Sequence, residues 1–366
     1  FRRVGVWKRA RYFSSDLTSR EEIQNVRNKV GLIDVSTLGK FRLHGPDALK
    51  VLQRVYISDM SQVRPGKLKY SAMCNQDGCL LDDGVVTKLG ENDYYLTTST
   101  GRAGGTIEWF RYQTRYDGWD FNAVNLTDTL AAINLAGPQA REVLVKICDA
   151  DLSNEALPYM GFQEVTLGGQ VKAKVLRLGF VGELSYELHL PSSQAQSVWN
   201  WLMEAGAELG IRPFGLEAQF VLRLEKGHVI IGQESEARTN LLDLGLGFLW
   251  ARKDLASKKV GAPALRFAEK QKDRLKLVGF TMNDPDQTPG DGAIVYEGQD
   301  VMGFVCTSRK SVTLGQSIGL ALVQAPLTKV GGTLNIFQND GPGEEHFQAT
   351  VSPTPFYDPQ GQRLRM

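Results

Sequence analysis

The feature that most constrains the fold of this chain is a repeated strand–turn–helix unit. Phe41-Arg42-Leu43-His44-Gly45-Pro46-Asp47-Ala48 leads into Val51-Leu52, and Ala132-Ile133-Asn134-Leu135-Ala136-Gly137-Pro138-Gln139-Ala140 leads into Val143-Leu144. Each reads as a short apolar strand, a glycine turn, and a helix opened by proline at its first position, where a missing N–H costs nothing. A strand must bury a face and a helix a stripe, so two units of matching design predict a duplicated α+β subdomain. A third strand, 185–190, feeds an apolar helix over 195–205 in the same way. Hairpins fill the intervals: 85–89 and 94–98 flank Gly90-Glu91-Asn92-Asp93, and 165–167 and 171–176 flank Gly168-Gly169. Ser19-Arg20-Glu21-Glu22 has the capping-box pattern and predicts a helix that stops at Gly31. The stretch 254–274, with Lys258, Lys259, Lys270 and Lys272, is charged and helical in character. From about Leu275 the chain is strand-rich with frequent turns, which predicts a small β-barrel or sandwich of roughly ninety residues.

At 366 residues the chain can bury two or three domains. A net charge of +1 with 23% charged residues leaves no excess to drive general binding to nucleic acid or to a membrane surface. No apolar run reaches bilayer length. The start, Phe1-Arg2-Arg3-Val4-Gly5-Val6-Trp7, is basic but is not followed by a signal-peptide core, and the missing Met predicts a polypeptide that continues upstream or was trimmed. Cys74, Cys79, Cys148 and Cys306 are spaced neither as a disulfide framework nor as a metal-ligand set; they predict reduced thiols in a cytoplasmic protein with no metal. His44, His189, His228 and His346 are scattered singly and read as structural or solvated. Gly101-Arg102-Ala103-Gly104-Gly105 lacks a P-loop ending, and Gly245-Leu246-Gly247 lacks the third glycine of a dinucleotide fingerprint. The chain therefore shows no nicotinamide, flavin or ATP site of its own and is expected to be colourless.

Two carboxylate clusters carry the chemistry. In Gly78-Cys79-Leu80-Leu81-Asp82-Asp83-Gly84-Val85-Val86, two aspartates interrupt an apolar strand. Asp is poor strand material and costly to bury unpaired, and in an extended run only one of the pair can face a core or cavity. Read alone, the stretch fits a strand end with a solvated Asp pair; read as a site, one carboxylate has a perturbed proton affinity suited to acid–base work. In the second cluster, Arg177 to His189, alternation sets Ser185, Glu187 and His189 on one strand face opposite Tyr186 and Leu188. Read alone, Glu187 fits the polar face of a half-exposed strand. Arg223, on a helix striped by Leu216, Phe220 and Leu224, reads as an ion-pair or cap partner.

Taken together and in order, several segments resemble the aminomethyltransferase family, the T-protein of the glycine cleavage system. They are Gly31-Leu32-Ile33-Asp34-Val35-Ser36, Tyr70-Ser71-Ala72-Met73-Cys74-Asn75, Leu81-Asp82-Asp83, Gly179 to Glu187, Arg223-Leu224-Glu225, Gly232-Gln233-Glu234, Thr313-Leu314-Gly315-Gln316-Ser317-Ile318 and Pro355-Phe356-Tyr357. The resemblance departs from T-protein at Thr37, where a His is usual, at Gln219, where an Arg is expected, and at Phe180, which replaces a Tyr. Asp34 to Lys40, Asp83-Gly84-Val85, Leu222 to Gly227 and Phe356-Tyr357-Asp358-Pro359 more closely resemble the C-terminal part of the α subunit of heterotetrameric sarcosine oxidase. That subunit normally carries a long N-terminal dinucleotide-binding portion that this chain lacks. Relatives with a scaffold role in iron–sulfur assembly carry a Cys shortly before Gly-Gln-Glu; the run Lys226 to Glu234 has none.

The resemblance implies an α+β, T-protein-like fold: two interleaved α+β subdomains (1–270) plus a C-terminal β-barrel (275–366) around a central folate cavity. It implies one-carbon transfer to tetrahydrofolate, with FAD or FMN only on a partner subunit, a flavin-containing amine oxidase. By position in the motifs, Asp83 matches the catalytic carboxylate and Asp82 faces away. Glu187 matches the pterin-binding glutamate, whose two oxygens can accept from the ring's amino and N–H donors. Tyr70, Thr98, Phe180 and Arg223 fall at cofactor-binding positions. Arg177, Arg223, Arg363 and Arg365 are candidates to meet a glutamate tail.

Overall fold

The computed structural model describes residues 1–13, 19–236, 238–252, 259–339 and 343–366. A hairpin, β1 (Arg2–Val4) and β2 (Trp7–Arg9), precedes helix α1 (Arg20–Asn28) and strand β3 (Gly31–Asp34). There follow β4 (Gly39–His44), α2 (Ala48–Val55), β5 (Lys69–Cys74), β6 (Leu80–Gly90), β7 (Asp93–Thr98), α3 (Thr106–Thr114) and β8 (Asn122–Asn125). The chain then runs through β9 (Leu130–Ala136), α4 (Ala140–Leu144), β10 (Gly161–Leu167), β11 (Val171–Arg177), β12 (Ser185–Pro191), α5 (Ala195–Ala205), β13 (Arg212–Pro213) and α6 (Leu216–Glu225). Helix α7 (Ala262–Ala268) leads to β14 (Lys276–Met282), β15 (Ile294–Glu297), β16 (Asp300–Lys310), β17 (Ser317–Val323), β18 (Thr333–Gln338) and β19 (Glu345–Ser352).

These strands form a six-stranded sheet ordered β10-β11-β12-β9-β3-β13, a five-stranded sheet ordered β5-β6-β7-β4-β8, and a closed barrel β14-β17-β16-β15-β18-β19. Strand β3 pairs antiparallel with β9, so the whole β4–β8 subdomain is inserted between two neighbours of the other sheet. The two subdomains are thus interleaved, and each contains one copy of the strand–turn–helix repeat. The turn glycines are required: Gly45 has φ +125° and Gly137 has φ +133°, and a Cβ on Gly137 would lie 2.4 Å from the Lys29 carbonyl oxygen.

Local expectations needed correction at four places. The prolines do not open the helices. Ala48 N–H bonds to Gly45 O and Ala140 N–H to Gly137 O, each at 3.0 Å, so Pro46 and Pro138 sit inside a tight turn that suits their fixed φ, and the helices begin two residues later. Ser19 makes no side-chain cap: its backbone is helical (φ −91°, ψ −1°) rather than extended, and Glu22 accepts from the Phe13 and Gly215 N–H groups (2.5 and 2.7 Å). Helix α1 ends at Asn28 rather than Gly31, which begins β3, where a Cβ would come within 2.5 Å of Val26. Within the stretch expected to be helical, residues 254–258 lie outside the described residues, and the helix in the remainder is α7 alone.

One face of the six-stranded sheet, with Leu135, Val175 and Leu188, packs on Val143, Val198 and Leu202 of α4 and α5. The five-stranded sheet packs Phe41, Val86 and Leu96 on Val51, Leu52 and Val55 of α2 and on Phe110 of α3. Where the other faces of the sheets meet, an apolar layer of Leu68 and Val85 from one side and Phe162 and Leu176 from the other joins them. Next to it, α1 and α6 cover β3 and β9 through Ile23, Val26, Ala218 and Leu222. The barrel docks on α6 through Leu224 against Ile318 and Leu320.

A buried ionic network ties these layers together. Arg27 of α1 donates to Glu183 (3.0 Å), to Glu225 (2.6 and 3.0 Å), and to the Val181 and Leu222 carbonyls (2.7 and 3.2 Å). Its guanidinium also lies 4.1 Å from the Tyr357 ring centroid. Glu225 closes α6, where a negative charge opposes the helix dipole; Ser311 and Thr313 hydroxyls of the barrel segment and Arg27 offset it.

Candidate functional site

The two aspartates of β6 point opposite ways, as a pleated strand requires. Asp82 pairs with Met73 and shares its face, toward the α2–α3 core; Asp83 pairs with Ala72 and faces the inter-sheet side. The solvated-pair reading is therefore wrong. Asp82 is fully buried, with Oδ2 accepting the Ser99 N–H (3.2 Å) and Oδ1 without a partner among the described residues. Burial, with the charge of Asp83 added, pushes its carboxyl up to about 7. Asp83 is enclosed by protein yet keeps some accessible surface. Tyr70 Oη donates to Asp83 Oδ2 at 2.5 Å, and Oδ1 has no partner among the described residues. Burial raises the Asp83 carboxyl above its ordinary value, opposed by the Tyr70 hydrogen bond. The Tyr70 hydroxyl is itself held well above its usual range by burial and by Asp83, so it stays a donor.

Glu187 stands on the facing sheet. In β12 it pairs with Leu176 and with Asn134, and Leu176 packs in the same apolar layer as Val85, two residues from Asp83. The two carboxylates therefore belong to opposite walls of the space between the sheets. Glu187 is 6% exposed rather than half-exposed. Its Oε1 pairs with His189 Nε2 at 2.6 Å, and Oε2 has no partner among the described residues. The nearby Lys40 ammonium donates to the Ser36 and Leu38 carbonyls (2.7 and 2.8 Å), and burial pushes it down to about 8 against the attraction of Glu187.

Other expected site residues fall into place differently. Thr98 is buried on the opposite face of β7 from Tyr95 and Thr97, its hydroxyl on the Ser99 carbonyl (3.3 Å). Phe180 stacks on His228 (centroids 5.8 Å apart), whose ring N–H donates to the Phe180 carbonyl. Arg223 is buried, donating to Glu234 (2.8 Å) and the His228 carbonyl (3.0 Å). Burial lowers the His228 imidazole and raises the Glu234 carboxyl. Arg177 is also buried, bound to Asn154 and to the Leu157 and Met366 carbonyls, and Arg363 bonds Tyr357 and the Arg27 carbonyl. None of these three arginines offers an unengaged guanidinium to a glutamate tail. Thr37 shares a hydroxyl contact with Thr100 (2.9 Å).

Two clefts adjoin the carboxylates. One of about 430 Å³ is lined by Tyr70, Lys69, Leu68, Phe248 and Trp250, and one of about 580 Å³ by His189, Glu164, Thr166, Lys172 and Lys174. Among the described residues there is no cluster able to hold a metal ion and no helix long and apolar enough to cross a membrane. All four cysteines are free thiols. The part of Tyr95 carried no sequence signal; that of His189 was present only as its place two residues from Glu187 on one strand face.

Residues 1–254 match the GCVT N-terminal domain family, and residues 276–358 the glycine cleavage T-protein C-terminal barrel domain. A sarcosine oxidase subunit alpha from Corynebacterium sp. (strain P-1) is 33% identical over 377 residues, covering 99% of this chain and 39% of that protein. The chain thus spans about two fifths of the length of the sarcosine oxidase subunits it matches. An aminomethyltransferase from Geobacillus thermodenitrificans (strain NG80-2) is 34% identical over 353 residues, covering 96% of this chain and 93% of that protein. The crystal structure of glycine cleavage system aminomethyltransferase T from Bartonella henselae superposes with a TM-score of 0.83 at 23% identity, covering 96% of this chain and 95% of that one. This likeness shows the T-protein fold.

Proposed function

We propose, from the premise that this chain belongs to the glycine cleavage T-protein (aminomethyltransferase) family, that it transfers a one-carbon unit to tetrahydrofolate. In this reading it accepts the methylene of an imine made by oxidation of a sarcosine-like N-methyl amine, and the product is 5,10-methylenetetrahydrofolate. A flavin on a partner subunit performs the oxidation. Folate N5 attacks the methylene carbon of the protonated imine and the C=N electron pair moves to nitrogen. The N5 proton passes to that nitrogen, and the C–N bond breaks to release the neutral amine and leave an N5-methylene cation. N10 then closes the ring and gives up its own proton.

Asp83 is the proposed acceptor of that N10 proton. The observation that carries the reading is its geometry: one Asp83 oxygen is held by Tyr70, the other has no partner among the described residues, and Glu187 stands on the facing sheet. A carboxyl raised by burial is a better base than a solvated one, and an enclosed site strengthens its stabilisation of a developing cation. Glu187 supplies acceptors for the amino and ring N–H donors of the pterin. Thr98, on the far face of β7, and Phe180 and Arg223, engaged with His228 and Glu234, are given no role in this reading.

One observation favours a second reading, a T-protein working with a lipoyl carrier: the chain spans 93% of the Geobacillus aminomethyltransferase. Thr37 and Gln219 argue against it, since a hydroxyl pair and an amide replace the His and Arg of T-protein. Calorimetric titration with tetrahydrofolate, beside Glu187→Ala, tests the shared folate site. Micromolar-range binding abolished in the variant supports it, and wild-type affinity in the variant refutes the pterin role. Turnover with an imine-generating flavoprotein, but not with an aminomethylated lipoyl carrier, supports the first reading over the second; the reverse pattern selects the second.

A further inference from the structure

Glu187 is linked to the opposite sheet by a chain of short hydrogen bonds. Tyr95 Oη of β7 lies 2.6 Å from His189 Nδ1, and His189 Nε2 lies 2.6 Å from Glu187 Oε1 of β12. Tyr95 and His189 are each 1% exposed, and their rings meet edge to face, with centroids 5.7 Å apart and an interplanar angle of 64°. The chain bridges the two interleaved subdomains at the level of the candidate site.

Hydrogen-bond inventory fixes the proton positions. A neutral imidazole has one donor and one acceptor, and a phenol has one proton to give. Nδ1 is the only partner of Tyr95 Oη among the described residues. If Nδ1 carried the proton, the buried Tyr95 O–H would have no acceptor, and Nε2 would face Glu187 as a second acceptor. Tyr95 donation to Nδ1 satisfies every group: Nε2–H then donates to Glu187 Oε1. Burial and the nearby Glu187 hold the Tyr95 hydroxyl well above its usual range, so its proton remains in place.

We infer that His189, fixed in its Nε2–H tautomer by Tyr95, is the positioning residue that orients the Glu187 carboxylate for its ligand. A glutamate side chain rotates freely about its terminal bond; one buried, directional donor on Oε1 removes that freedom and leaves Oε2 without a partner among the described residues, available to a ligand. This is the arrangement by which a metal-binding histidine is oriented from behind, here applied to a carboxylate. Naming the ligand as a pterin rests on the folate reading above; the positioning itself does not.

The test compares wild type with His189→Gln, His189→Leu and Tyr95→Phe, using calorimetric titration with 5-formyltetrahydrofolate and ¹H–¹⁵N correlation of the histidine ring nitrogens without ligand. Losing a hydrogen bond to a charged group lowers affinity about 10- to 100-fold, the result expected for His189→Leu. His189→Gln places an amide N–H near the Nε2 position and stays within about threefold of wild type. Tyr95→Phe falls between them and disperses the His189 ring signal from a single Nε2–H tautomer into a mixture. A folded His189→Leu with wild-type affinity, or a Gln variant as weak as the Leu variant, overturns the inference. If the Leu variant does not fold, Tyr95→Phe decides: unchanged affinity with an unchanged tautomer overturns the inference. If wild type binds no folate, the folate reading fails separately. The positioning then stands on an Nε2–H tautomer lost in Tyr95→Phe, and falls if wild-type His189 is imidazolium or Nδ1–H.

Discussion

Replacing Arg27 with Met leaves two fully buried carboxylates, Glu183 and Glu225, without the guanidinium that joins them. Breaking a buried pair by removing one partner costs about 3–5 kcal/mol, because the remaining charge is stranded. Here Glu183 keeps the Tyr357 hydroxyl (2.9 Å) and the more distant Arg363 (3.3 Å), and Glu225 keeps Ser311 and Thr313. Two carboxylates are affected, but both retain donors, so the middle of the range, about 4 kcal/mol, is expected. At about 2.1 cal/mol/K per residue, 366 residues give an unfolding entropy of about 0.8 kcal/mol/K and a Tm lowered by about 5 °C for unfolding as one unit. The sign of the pH dependence follows from Glu183, whose carboxyl burial raises above its ordinary value. A group raised on folding adds stability below its unfolded pKa and loses it as pH rises through the folded one. Without Arg27 this raising grows, so the deficit is larger at pH 8 than at pH 5. Scanning calorimetry at both pH values measures this. An Arg27→Met protein within about 1 kcal/mol of wild type at pH 8, or a deficit that grows on acidification, refutes the assignment of the network.

Three further outcomes are expected. Asp83→Asn keeps the shape of the site but cannot take a proton, so folate binding changes less than about threefold while turnover falls about 100-fold or more, as equilibrium titration and single-turnover kinetics will read. Asp82→Asn removes a carboxyl pushed up to about 7; a raised group costs stability progressively as pH rises from its unfolded pKa to its folded one, so the variant's stability relative to wild type improves by about 2–3 kcal/mol between pH 5 and pH 8 in urea unfolding. Gly137→Ala drives a methyl group to within 2.4 Å of the Lys29 carbonyl at φ +133° and lowers stability by about 3 kcal/mol or more, checked by thermal melting beside an Ala substitution at exposed Gly118.

Much of this molecule was legible in the chain because it depends on short-range physics. The strand–glycine–helix repeat, the hairpin around Gly90 to Asp93, and the opposite facing of Asp82 and Asp83 are set by local sterics and by the two-residue period of a strand. The same period placed Ser185, Glu187 and His189 on one face, and the ordered motifs indicated the family and the closed C-terminal barrel. Burial was not legible. Nothing local shows that Asp82 is sealed or that Glu187 is enclosed, because Asp82 is covered by the α2–α3 core of its own subdomain and Glu187 by the facing sheet and α6. Arg27 meets Glu183 and Glu225 across more than 150 positions, and Tyr95 meets His189 across 94. The first set is chosen when α1 and α6 pack together over β3 and β9, the second only when the insertion of β4–β8 between β3 and β9 brings the two sheets face to face. Local pattern sets the elements and which side chains share a face; tertiary packing selects which buried charges find partners and which carboxylate oxygens are left without one among the described residues. The physical reason is that backbone geometry acts over a few residues, whereas desolvation and charge pairing depend on whatever the fold packs alongside.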